Sequence, residues 1–464
     1  MFDVIVACTK NEDSFGIGLN GRLPWRSQEE LELFKEKTKN SILIVGRKTC
    51  QGLPRLENRT IFCISSDKNL KTSNYRNKVL VFQDVLLALS HANNLSPNTP
   101  IFIAGGAQIY TEVFTKHTRL IKTIHISIMK SNYLCDTFFS FKMNDYLLDT
   151  HTEYKEFDHY VLKKGFSDEK QYLELLKDIL TTKERTSRNG VVKSSFSKTL
   201  LFDLRNGFPL LTTKRMFWRG IVEELLFFIR GDTDSKILEN KGINIWKGNT
   251  SRKFLDSNNK TSYTEGDMGP MYGYQWRRFN AQYDGIKDSD PDFDSNRSLV
   301  KHHGIDQLEL LINDIKNDPN SRRLLLTCYN PEQAKQGVLY PCHSIVIQFY
   351  VEDSYLDMFC YNRSSDLFLG LPFNIASSSL LLTLIANVCN LTPRYFHLSL
   401  GDVHIYKEHY KAVEQQIDRI CYSFPSLFID KELNNVQDLE QLTVDDIILD
   451  DYKSHTTIVA PMIP

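Results

Sequence analysis

The segment Leu339-Tyr340-Pro341-Cys342-His343-Ser344 places one cysteine, preceded by a proline, between Arg322–Cys328 and Ile345–Val351, two runs that are typical of core strands. Arginines flank the segment in the sequence, as the pair Arg322-Arg323 before it and as Arg363 after it. Positive charge lowers the pKa of a thiol and can bind an anion. Cys342 is therefore a candidate nucleophile. A packed core cysteine is the alternative, because buried cysteines are common.

Long helices and a further strand surround this segment. Helices are predicted over Gly220–Arg230, Ile305–Asn317 and Phe373–Cys389, and a strand is predicted over Leu356–Asn362. Because these helices and strands do not alternate regularly, this half of the chain is predicted to have an α+β fold.

The first half of the chain has a different pattern, in which short β-branched runs alternate with helical ones. The predicted helices are Glu29–Lys39 and Asp84–Asn93, and the predicted strands are Val4–Cys8, Ile42–Val45, Ile61–Ser65, Val79–Phe82, Ile101–Ala104 and Ile124–Ile128. This order predicts an α/β fold, with a mostly parallel sheet flanked by helices.

The short segment Lys163–Asp168 is the only plausible boundary between the two halves. Ser167 or Asp168 can cap a helix that runs through Leu180. We therefore predict two domains, over residues 1–165 and 166–464.

The composition is that of an ordinary globular protein, with 464 residues, 41% hydrophobic residues and a formal net charge of -1. This balance indicates neither nucleic acid nor a membrane as the main partner. The nine cysteines are scattered without a C-x-x-C pair, which argues against a disulfide framework and a zinc site, so no metal is expected. The N-terminus lacks a basic signal region, and Thr383 and Asn387 break the apolar run Leu380–Leu391. A cytoplasmic, reducing location is the expectation.

Glu30 and Phe34 follow the glycine-rich segment Gly18-Leu19-Asn20-Gly21-Arg22-Leu23-Pro24-Trp25 and lie four residues apart, on one face of the predicted helix. A carboxylate can pair with the amidine-like edge of an aminopterin while an aromatic ring packs on its flat body. The pair therefore suits a pterin site. A solvated glutamate in the acidic run Glu29–Glu32 is the alternative.

Two other segments of the first half suit a nicotinamide cofactor. In Val45-Gly46-Arg47-Lys48-Thr49, basic side chains and the backbone N–H groups of a helix start can hold phosphate, although an ordinary charged turn has the same pattern. In Ile101–Tyr110, Gly105 and Gly106 separate a buried strand from a helix, so that the backbone can approach a pyrophosphate.

Together with Asp136-Thr137-Phe138-Phe139, these segments resemble the dihydrofolate reductase family over about residues 1 to 163. The resemblance implies that Glu30 orients and helps to protonate the pterin, with support from Ser127, and that Gly105-Gly106 forms a cis peptide beside NADPH. The implied folate site consists of Val6, Ala7, Glu30, Phe34, Arg59 and Ser127. The implied NADPH site consists of Ala7, Ile17, Gly18, Gly46, Arg47, Lys48, Thr49, Ser65, Ser66, Gly105, Gly106, Ala107, Gln108 and Ile109.

The second half carries a longer ordered series of motifs. They are Thr213-Lys214-Arg215, Glu223-Glu224-Leu225-Leu226, Gly269–Gly273, Asp318–Arg323, the Cys342 segment, Tyr361–Asp366, Leu369–Ala376 and Gly401–Tyr406. Together they resemble the thymidylate synthase family over about residues 168 to 464. The resemblance implies methylation of dUMP by 5,10-methylenetetrahydrofolate.

In that chemistry a thiolate adds to C6 of the uracil ring, which makes C5 nucleophilic. The resemblance assigns the nucleophile to Cys342, the proton relay to Glu224 and a place near the C5 proton to Tyr272. The implied dUMP site consists of Arg185, Arg322, Arg323, His343, Arg363, Ser364, Asp366, Asn374, His404 and Tyr406. The implied folate site consists of Ile245, Trp246, Asn249, Asp366, Leu369 and Phe373.

Three of these assignments have a further consequence or an alternative. Asn374 favours dUMP, because similar deoxycytidylate hydroxymethylases have an aspartate there. Arg322 and Arg323 would come from a second subunit, which implies a homodimer. A surface basic pair is the alternative. A plain core role remains open for the apolar members of the folate site, which are Ile245, Leu369 and Phe373.

The chain departs from both family patterns at a few positions. Ser127 stands where threonine is usual and Cys50 where tryptophan is often found. Asn362 replaces a glutamine. The loop after Arg185 reads Arg185-Thr186-Ser187-Arg188-Asn189-Gly190 instead of Arg-Thr-Gly followed by a second glycine, and the chain closes on Pro464.

The two resemblances together imply a bifunctional dihydrofolate reductase-thymidylate synthase, in which the dihydrofolate that one reaction produces is the substrate of the other. A chain with one inactive domain and an RNA-binding regulator are the rival hypotheses. No basic stripe with interleaved aromatic residues supports the second.

Overall fold

A computed structural model describes residues 1–11, 14–67, 69–95, 98–286 and 304–463. The chain forms two compact units. One is Met1–Phe166 with Ile420–Ser423, and the other is Ser167–Arg419 with Phe424–Pro464.

In the first unit, ten strands of the described chain form one sheet with the order β5-β4-β3-β6-β1-β7-β10-β9, and β2 and β8 extend it beside β1. The strands are β1 Phe2–Asn11, β2 Ser14–Gly18, β3 Ser41–Gly46, β4 Arg59–Ile64, β5 Val79–Phe82, β6 Ile101–Ile103, β7 Ile121–Met129, β8 Thr137–Phe139, β9 Tyr146–Glu153 and β10 Phe157–Lys164. The helices are α1 Gln28–Lys37, α2 Arg47–Gly52, α3 Val85–Leu95 and α4 Ala107–Lys116. From β5 to β7 in this order, neighbouring strands are parallel. Strand β10 is antiparallel to both of its neighbours, β7 and β9.

Strand β1 shows how the sheet separates two cores. Val4 and Val6 point into one hydrophobic cluster, whereas Ile5 and Ala7 face the other side of the sheet. The continuous apolar run of β3 follows from the same arrangement, because a parallel strand with both faces covered buries every side chain.

In the second unit, the described chain has a six-stranded sheet with the order β11-β12-β16-β15-β14-β13 and a small sheet of β17 and β18. The strands are β11 Glu184–Ser187, β12 Gly190–Asp203, β13 Leu325–Thr327, β14 Val346–Glu352, β15 Tyr355–Asp366, β16 Thr392–Tyr406, β17 Ser426–Ile429 and β18 Ile447–Asp450. The helices are α5 Glu169–Leu180, α6 Trp218–Arg230, α7 Lys236–Asn240, α8 Arg252–Ser257, α9 Gly273–Arg278, α10 Gln307–Asn317, α11 Gly370–Val388, α12 Tyr410–Ile417 and α13 Val436–Glu440. Short 3-10 turns lie at Thr118–Leu120 and Met143–Asp145 in the first unit and at Leu204–Asn206, Lys407–His409 and Val444–Asp446 in the second.

Helix α11 is the central buried element of this unit. It contacts β15 and β16, and its length and apolar composition would also suit a membrane span. However, 78% of its most apolar window is buried in the protein, and a core helix passes the same test as a membrane helix.

The six-stranded sheet has one covered face and one open face. Leu326, Ile347, Cys360, Leu398 and Leu200 are register partners across five strands, and all are buried. The neighbouring row on the opposite face is exposed and consists of Leu325, Gln348, Phe359, His397 and Leu201. Apolar side chains therefore remain uncovered on one side of the sheet.

Several predicted boundaries differ from the structure. Arg322 and Arg323 lie in a turn, not in the strand predicted to begin there, which starts at Leu325. Helix α1 ends two residues early, at Lys37, where the Thr38 hydroxyl donates to the carbonyl of Phe34. Long strands are missing from the predicted elements, namely β9, β10, β12 and β16, whose sequences mix polar and apolar residues on both faces.

Of the two residues predicted to cap α5, only Ser167 bonds an N–H group of the helix, and Asp168, at the N-cap position, makes no side-chain cap bond. The Ser167 hydroxyl accepts from the backbone N–H of Glu169, whereas the Asp168 carboxylate accepts from the N–H of Asp203.

Candidate active sites

Glu30 is one of the two buried residues of α1, with Leu33, so the alternative of a solvated glutamate is wrong. Burial raises the pKa of Glu30 to about 7, because an ionised carboxylate loses hydration there. Phe34 lies half-buried one turn further along α1. A carboxyl group with this pKa can hold and release a proton near neutral pH.

The other residues predicted for the pterin site lie on or beside the same sheet. Ala7 and Ser127 are register partners on β1 and β7, whereas the side chain of Val6 points into the opposite core, so only its backbone faces the Ala7 side. The Ser127 hydroxyl lies 3.2 Å from Nδ1 of His159, which the sequence did not single out. Arg59 donates to Thr38 Oγ1 and to the carbonyls of Glu57 and Lys35, which leaves part of its five-donor fork for a ligand.

The segments predicted for the cofactor converge at the starts of α2 and α4. The N–H of Gly46 donates to the carbonyl of Gly105 at 2.7 Å, and the Gly105-Gly106 peptide bond is cis, as expected. A Cβ atom at Gly106 would come within 2.9 Å of Thr49 Oγ1. The glycines therefore keep a cradle open between the two helix starts.

The remaining cofactor candidates lie at different depths around this cradle. Arg47 and Lys48 are exposed and form no ion pair within the described part of the chain. Ile109 and Ser65 are buried, and the Ser65 hydroxyl accepts from the N–H of Asp67. Among the other candidates, Gln108 and Ser66 are exposed, Ile17 and Ala107 are half-buried, and Gly18 is buried.

In the second unit, Cys342 lies in the loop before β14, and β15 holds that loop in place. The Cys342 carbonyl accepts from the N–H groups of Arg363 at 2.8 Å and Ser364 at 3.2 Å. The N–H of Ser344 donates to Oδ1 of Asn362 at 2.9 Å. Asn362, which replaces the glutamine usual in the family, therefore supports the backbone of the cysteine loop. Its Nδ2 is buried with no partner among the described residues.

Tyr272 brings its hydroxyl to the cysteine. The Tyr272 oxygen lies 3.5 Å from Cys342 Sγ and accepts from the Cys342 N–H at 3.4 Å. Tyr272 has a φ of 39°, a rare conformation for a bulky residue that is often found at functional sites. Its neighbour Gly273 lies so close to α6 that a Cβ atom there would come within 2.2 Å of the Phe228 carbonyl oxygen.

The electrostatics of the thiol differ from the expectation in one respect. Burial raises the pKa of the Cys342 thiol, and this effect outweighs the Tyr272 hydroxyl and the Arg363 guanidinium, which both lower it. Burial also lowers the pKa of His343 to about 4, so its imidazole is neutral at pH 7, and its ring stacks on Tyr272 with centroids 4.4 Å apart. The expected lowering of the thiol pKa thus requires more positive charge than Arg363 provides.

Glu224 is buried on α6 and accepts a hydrogen bond from Nε1 of Trp246 at 2.8 Å. Burial raises its pKa to about 7. The ring of Trp246 lies 6.1 Å from that of Tyr272. Glu224, Trp246, Tyr272 and Cys342 therefore form one contiguous group of side chains.

The predicted phosphate and sugar ligands gather on β11, β15 and β16. Arg185 forms an ion pair with Asp402, whose other oxygen lies 2.9 Å from Nδ1 of His404. Asp402 and Ser364 are register partners, and the ring of Tyr406 lies edge-on to His404 at 5.1 Å. The loop after Arg185, whose sequence differs from the family pattern, forms a tight hairpin in which the Ser187 hydroxyl donates to the carbonyl of Gly190.

Arg363 and the arginine pair differ in their surroundings. Arg363 donates from Nε to the carbonyl of Pro341 and lies 5.4 Å from the ring centroid of Tyr340. Arg322 and Arg323 are exposed and form no ion pair within the described residues.

The predicted folate residues lie at the start of α11 and beside Trp246. Asp366 accepts from the N–H groups of Phe368 and Leu369. The apolar candidates, Ile245, Leu369 and Phe373, are half-buried, as are Asn249 and Asn374. A full core role would bury these apolar side chains, so their partial exposure leaves them available to a ligand.

Residues that the sequence did not single out complete the site. The sequence could have pointed to Asp402, because it shares one face of a strand with the predicted ligands His404 and Tyr406. His409 bonds the Pro461 carbonyl of the C-terminal segment at 2.8 Å and lies 3.8 Å from Asp366. The predicted closing residue Pro464 lies outside the described residues.

A cavity of about 560 Å³ lies apart from the predicted site residues and is lined by Arg215, Met216, Phe217, Trp218, Arg219, Val444, Ile447, Leu449 and Tyr452. Within the described residues there is no cluster of three or more side chains suited to a metal ion.

Comparisons with known proteins match both halves of the chain. Residues 1–166 match the family model for dihydrofolate reductase, and residues 170–464 match the model for thymidylate synthase. The chain is 37% identical to a bifunctional dihydrofolate reductase-thymidylate synthase of Paramecium tetraurelia, over 99% of this chain and 98% of the relative. It is 34% identical to the enzyme of that name in Leishmania major, over 99% of this chain and 95% of the relative.

Proposed function

The chain belongs to the bifunctional dihydrofolate reductase-thymidylate synthase family, and on that premise we propose which of its residues carry out the two reactions. The second unit converts dUMP to dTMP with 5,10-methylenetetrahydrofolate, and the first reduces the resulting dihydrofolate with NADPH. The observation that carries the residue assignment is the contiguous group of Cys342, Tyr272, Trp246 and Glu224.

In the second unit, the Cys342 thiolate forms a bond to C6 of the uracil ring, and the electron pair of the C5–C6 bond makes C5 a nucleophile. C5 then takes the carbon unit of methylenetetrahydrofolate, which also supplies the hydride and leaves as dihydrofolate. The C5 proton departs and the C6–S bond breaks, so that the thiolate is regenerated. Tyr272, 3.5 Å from the sulfur, lies where it can assist the proton transfer.

Glu224 organises the proton relay of this reaction. Its pKa of about 7 allows both the carboxyl and the carboxylate form near neutral pH, and Trp246 fixes one of its oxygens. Asn374 at the start of α11 reads the uracil edge with one donor and one acceptor. The nucleotide phosphate takes the place of Asp402 as a partner of Arg185, joined by Arg363 and Ser364.

In the first unit, Glu30 pairs with the pterin and supplies the proton for its reduction, while Phe34 packs on the flat ring. Its raised pKa keeps the carboxyl protonated close to pH 7, whereas an exposed glutamate would be ionised there. Arg59 binds the glutamate carboxylate of the substrate with the donors that its protein partners leave free.

The residues at the cofactor site fit NADPH, which supplies a hydride when it is bound. The cradle at Gly106 and Thr49 has no room for an added Cβ atom, so the backbone can approach a pyrophosphate. No side chain among the described residues caps the N-terminus of α4, which favours an anion there. Arg47 and Lys48, which are exposed and form no ion pair among the described residues, suit the 2′-phosphate, which distinguishes NADPH from NADH.

The open face of the six-stranded sheet supports a homodimer. Leu325, Phe359 and Leu201 on its exposed row are 45%, 42% and 42% exposed, and Tyr350 on the same strand as Gln348 is 59% exposed. Contiguous apolar surface of this kind marks a protein interface. A second copy of the chain on this face would bring Arg322 and Arg323, which lie just before the edge strand β13, to the phosphate of its partner.

The state of the cysteines supports a reducing compartment. All nine are thiols and not disulfide partners, and six of them are buried. Disulfides are rare where thiols are kept reduced.

The assignment is tested with purified protein, dUMP, methylenetetrahydrofolate and NADPH, while dTMP formation and NADPH oxidation are followed together. We expect Cys342→Ala to abolish dTMP formation and the NADPH oxidation coupled to it, because no other side chain replaces the nucleophile. The same variant should still oxidise NADPH when dihydrofolate is added.

Two results would contradict the assignment. Residual dTMP formation by Cys342→Ala at more than a few per cent of wild type would remove Cys342 as the nucleophile. dTMP formation by the wild type without NADPH oxidation would mean that the first unit is inactive and that the Glu30 assignment fails.

A further inference from the structure

The loop that carries Cys342 contacts Arg363 through three successive residues. The Cys342 carbonyl accepts from the backbone N–H of Arg363 at 2.8 Å, and the Pro341 carbonyl accepts from Arg363 Nε at 3.1 Å. The guanidinium also lies over the ring of Tyr340, with its central carbon 5.4 Å from the ring centroid. Because Arg363 is exposed, this loop and not burial sets the position of the guanidinium.

The contacts at Nε and at the ring restrict the guanidinium in different ways. Its N–H donors form a rigid planar fork, and the bond to Pro341 uses only the one on Nε. That single bond is a pivot, around which the plane of the fork can still swing. The face of Tyr340 opposes this swing, because an aromatic face attracts a cation that lies within about 6 Å of its centre.

Tyr340 is in turn held by Tyr329. The two hydroxyl oxygens lie 2.7 Å apart, and the ring centroids lie 5.9 Å apart. Tyr329 is fixed at the end of β13, where its N–H donates to Oγ1 of Thr327 and the Thr327 hydroxyl donates to the carbonyl of Ile345. Since Tyr340 is 42% exposed, the bond to Tyr329 contributes more than core packing to the placement of its ring.

This placement matters for an anion that binds to the fork. A free arginine side chain has many rotamers, and a ligand that fixes it must overcome the loss of that freedom. A ring that already holds the guanidinium in place removes part of this cost before the ligand arrives. The terminal nitrogens of the fork can then bind two oxygens of a phosphate side by side.

We propose that Tyr340, held by Tyr329, is a positioning residue for dUMP that keeps the guanidinium of Arg363 in the orientation that binds the nucleotide phosphate. Tyr340 acts through Arg363 and takes no part in the chemical step. This inference rests on the proposed function of the second unit, in which Arg363 is a phosphate ligand.

The expected effect is on binding and not on turnover. Tyr340→Ala should raise the KM for dUMP by about two- to fivefold, the range that one exposed contact between a cation and a ring provides. Once dUMP saturates the site, the phosphate itself holds the fork, so kcat should stay near the wild-type value. Inorganic phosphate that competes with dUMP needs the same fork, so its inhibition constant should rise by the same factor.

Two phenylalanine variants test the role of the hydroxyl pair. Tyr340→Phe keeps the ring but loses the bond to Tyr329, and Tyr329→Phe loses the same bond from the other side. Each should raise the KM for dUMP and the phosphate inhibition constant by less than Tyr340→Ala does. The double phenylalanine variant should raise them no further, because both changes remove one interaction.

Tyr263→Phe is the matched control for a general loosening of the loop. The Tyr263 hydroxyl donates to the carbonyl of Gln336 at 2.8 Å, within the loop of residues 330–339 that Tyr329 and Tyr340 close. This variant therefore removes a hydroxyl bond to the same loop without removing a contact of Arg363. Both constants should keep their wild-type values.

Three outcomes would overturn the proposal. They are an unchanged KM in Tyr340→Ala, a raised KM without a raised phosphate inhibition constant, and an equal rise in Tyr263→Phe. If Tyr340→Ala is inactive at every dUMP concentration, Tyr340→Leu, which keeps the bulk but not the aromatic face, must show the rise in both constants. A wild-type KM in that variant would also count against the role of Tyr340.

Arg363→Ala separates this proposal from the proposed function. If Arg363→Ala raises both constants and Tyr340→Ala does not, Arg363 is a phosphate ligand that needs no positioning by Tyr340. If Arg363→Ala leaves both constants unchanged, the assignment of Arg363 itself fails, and the role of Tyr340 fails with it.

Discussion

At the scale of single residues, burial decides which groups can exchange protons. Glu30 and Glu224 lie in different units, on different helices, and burial raises the pKa of each to about 7. Burial lowers the pKa of His343 and His159 to about 4, so both imidazoles act as neutral hydrogen-bonding groups. In both proposed sites the group suited to acid–base chemistry near neutral pH is therefore a carboxyl and not a histidine.

Glu224→Gln should lower the rate of dTMP formation by about a hundredfold or more, because an amide cannot take up or release the relay proton. Glu223→Gln is the matched control. Glu223 is the adjacent buried carboxylate of α6, and it is paired with Lys241 at 2.7 Å, away from Trp246. The rates are measured with saturating dUMP and methylenetetrahydrofolate. Equal losses in the two variants would mean that the effect comes from α6 and not from the relay.

At the scale of secondary-structure elements, glycines let the backbone of one element approach another. Gly106 leaves space between the starts of α2 and α4, and Gly273 lets α9 lie against α6, which places Tyr272 beside Cys342. Neither glycine takes part in the chemistry, because glycine has no side chain; each only lets two elements approach. The sites depend on these approaches because any added Cβ atom would collide with a neighbouring atom.

Gly106→Ala should weaken NADPH binding by about tenfold, which corresponds to about 1.4 kcal/mol. The added methyl group would lie 2.9 Å from Thr49 Oγ1, so either Thr49 or the start of α4 must move. Gly52→Ala, at the exposed end of α2, has no atom within 4 Å of its added methyl group and is the control. A titration of NADPH binding measures both. Equal affinities for the two variants would show that the cradle is not at the cofactor.

At the scale of the whole molecule, one chain carries two reactions that share dihydrofolate as product and substrate. The six-stranded sheet of the second unit has a row with apolar side chains that is exposed among the described residues. Arg322 and Arg323 lie in the turn before the edge strand of that sheet and have no ion-pair partner within the described residues. The proposed second copy on this face would account for both observations.

Mixed dimers test this assembly. Cys342→Ser and Arg322→Ala should each be nearly inactive in dTMP formation when alone. Their mixture should regain up to about a quarter of wild-type activity, because random re-pairing makes half of the dimers mixed and each mixed dimer holds one intact site. Dihydrofolate reduction should be unchanged throughout.

A surface variant supplies the control for the mixing experiment. Phe359→Glu places a charge on the open face, so it should give monomers that do not restore activity in the mixture. Phe428→Glu places the same charge on strand β17 and should leave the dimer and the restored activity unchanged. No recovery in a mixture that does form mixed dimers would show that Arg322 acts within its own subunit or not at all.

The sequence by itself determined the types of the main elements and the family, and it supplied the candidates for the reacting residues. Apolar β-branched runs predicted the parallel strands β3, β4 and β5. Burial on both faces explains the run in β3, whose first five residues are buried. The motifs around Cys342, Glu224, Glu30 and Gly105-Gly106 identified both chemistries through their resemblance to two families, because the motifs occur here in the order that those families have. Strands β9, β10, β12 and β16 were not predicted, because their sequences mix polar and apolar residues on both faces and so show neither a continuous apolar run nor a clear alternation.

Only the tertiary structure decided which side chains meet. The pairing of Ser127 with His159 depends on the register between β7 and β10, and that of Arg185 with Asp402 joins residues 217 positions apart. The raised pKa values of Glu30 and Glu224 likewise follow from burial. Burial and register are properties of the packed chain, because hydration and distance depend on neighbours in space, which no local stretch of sequence specifies.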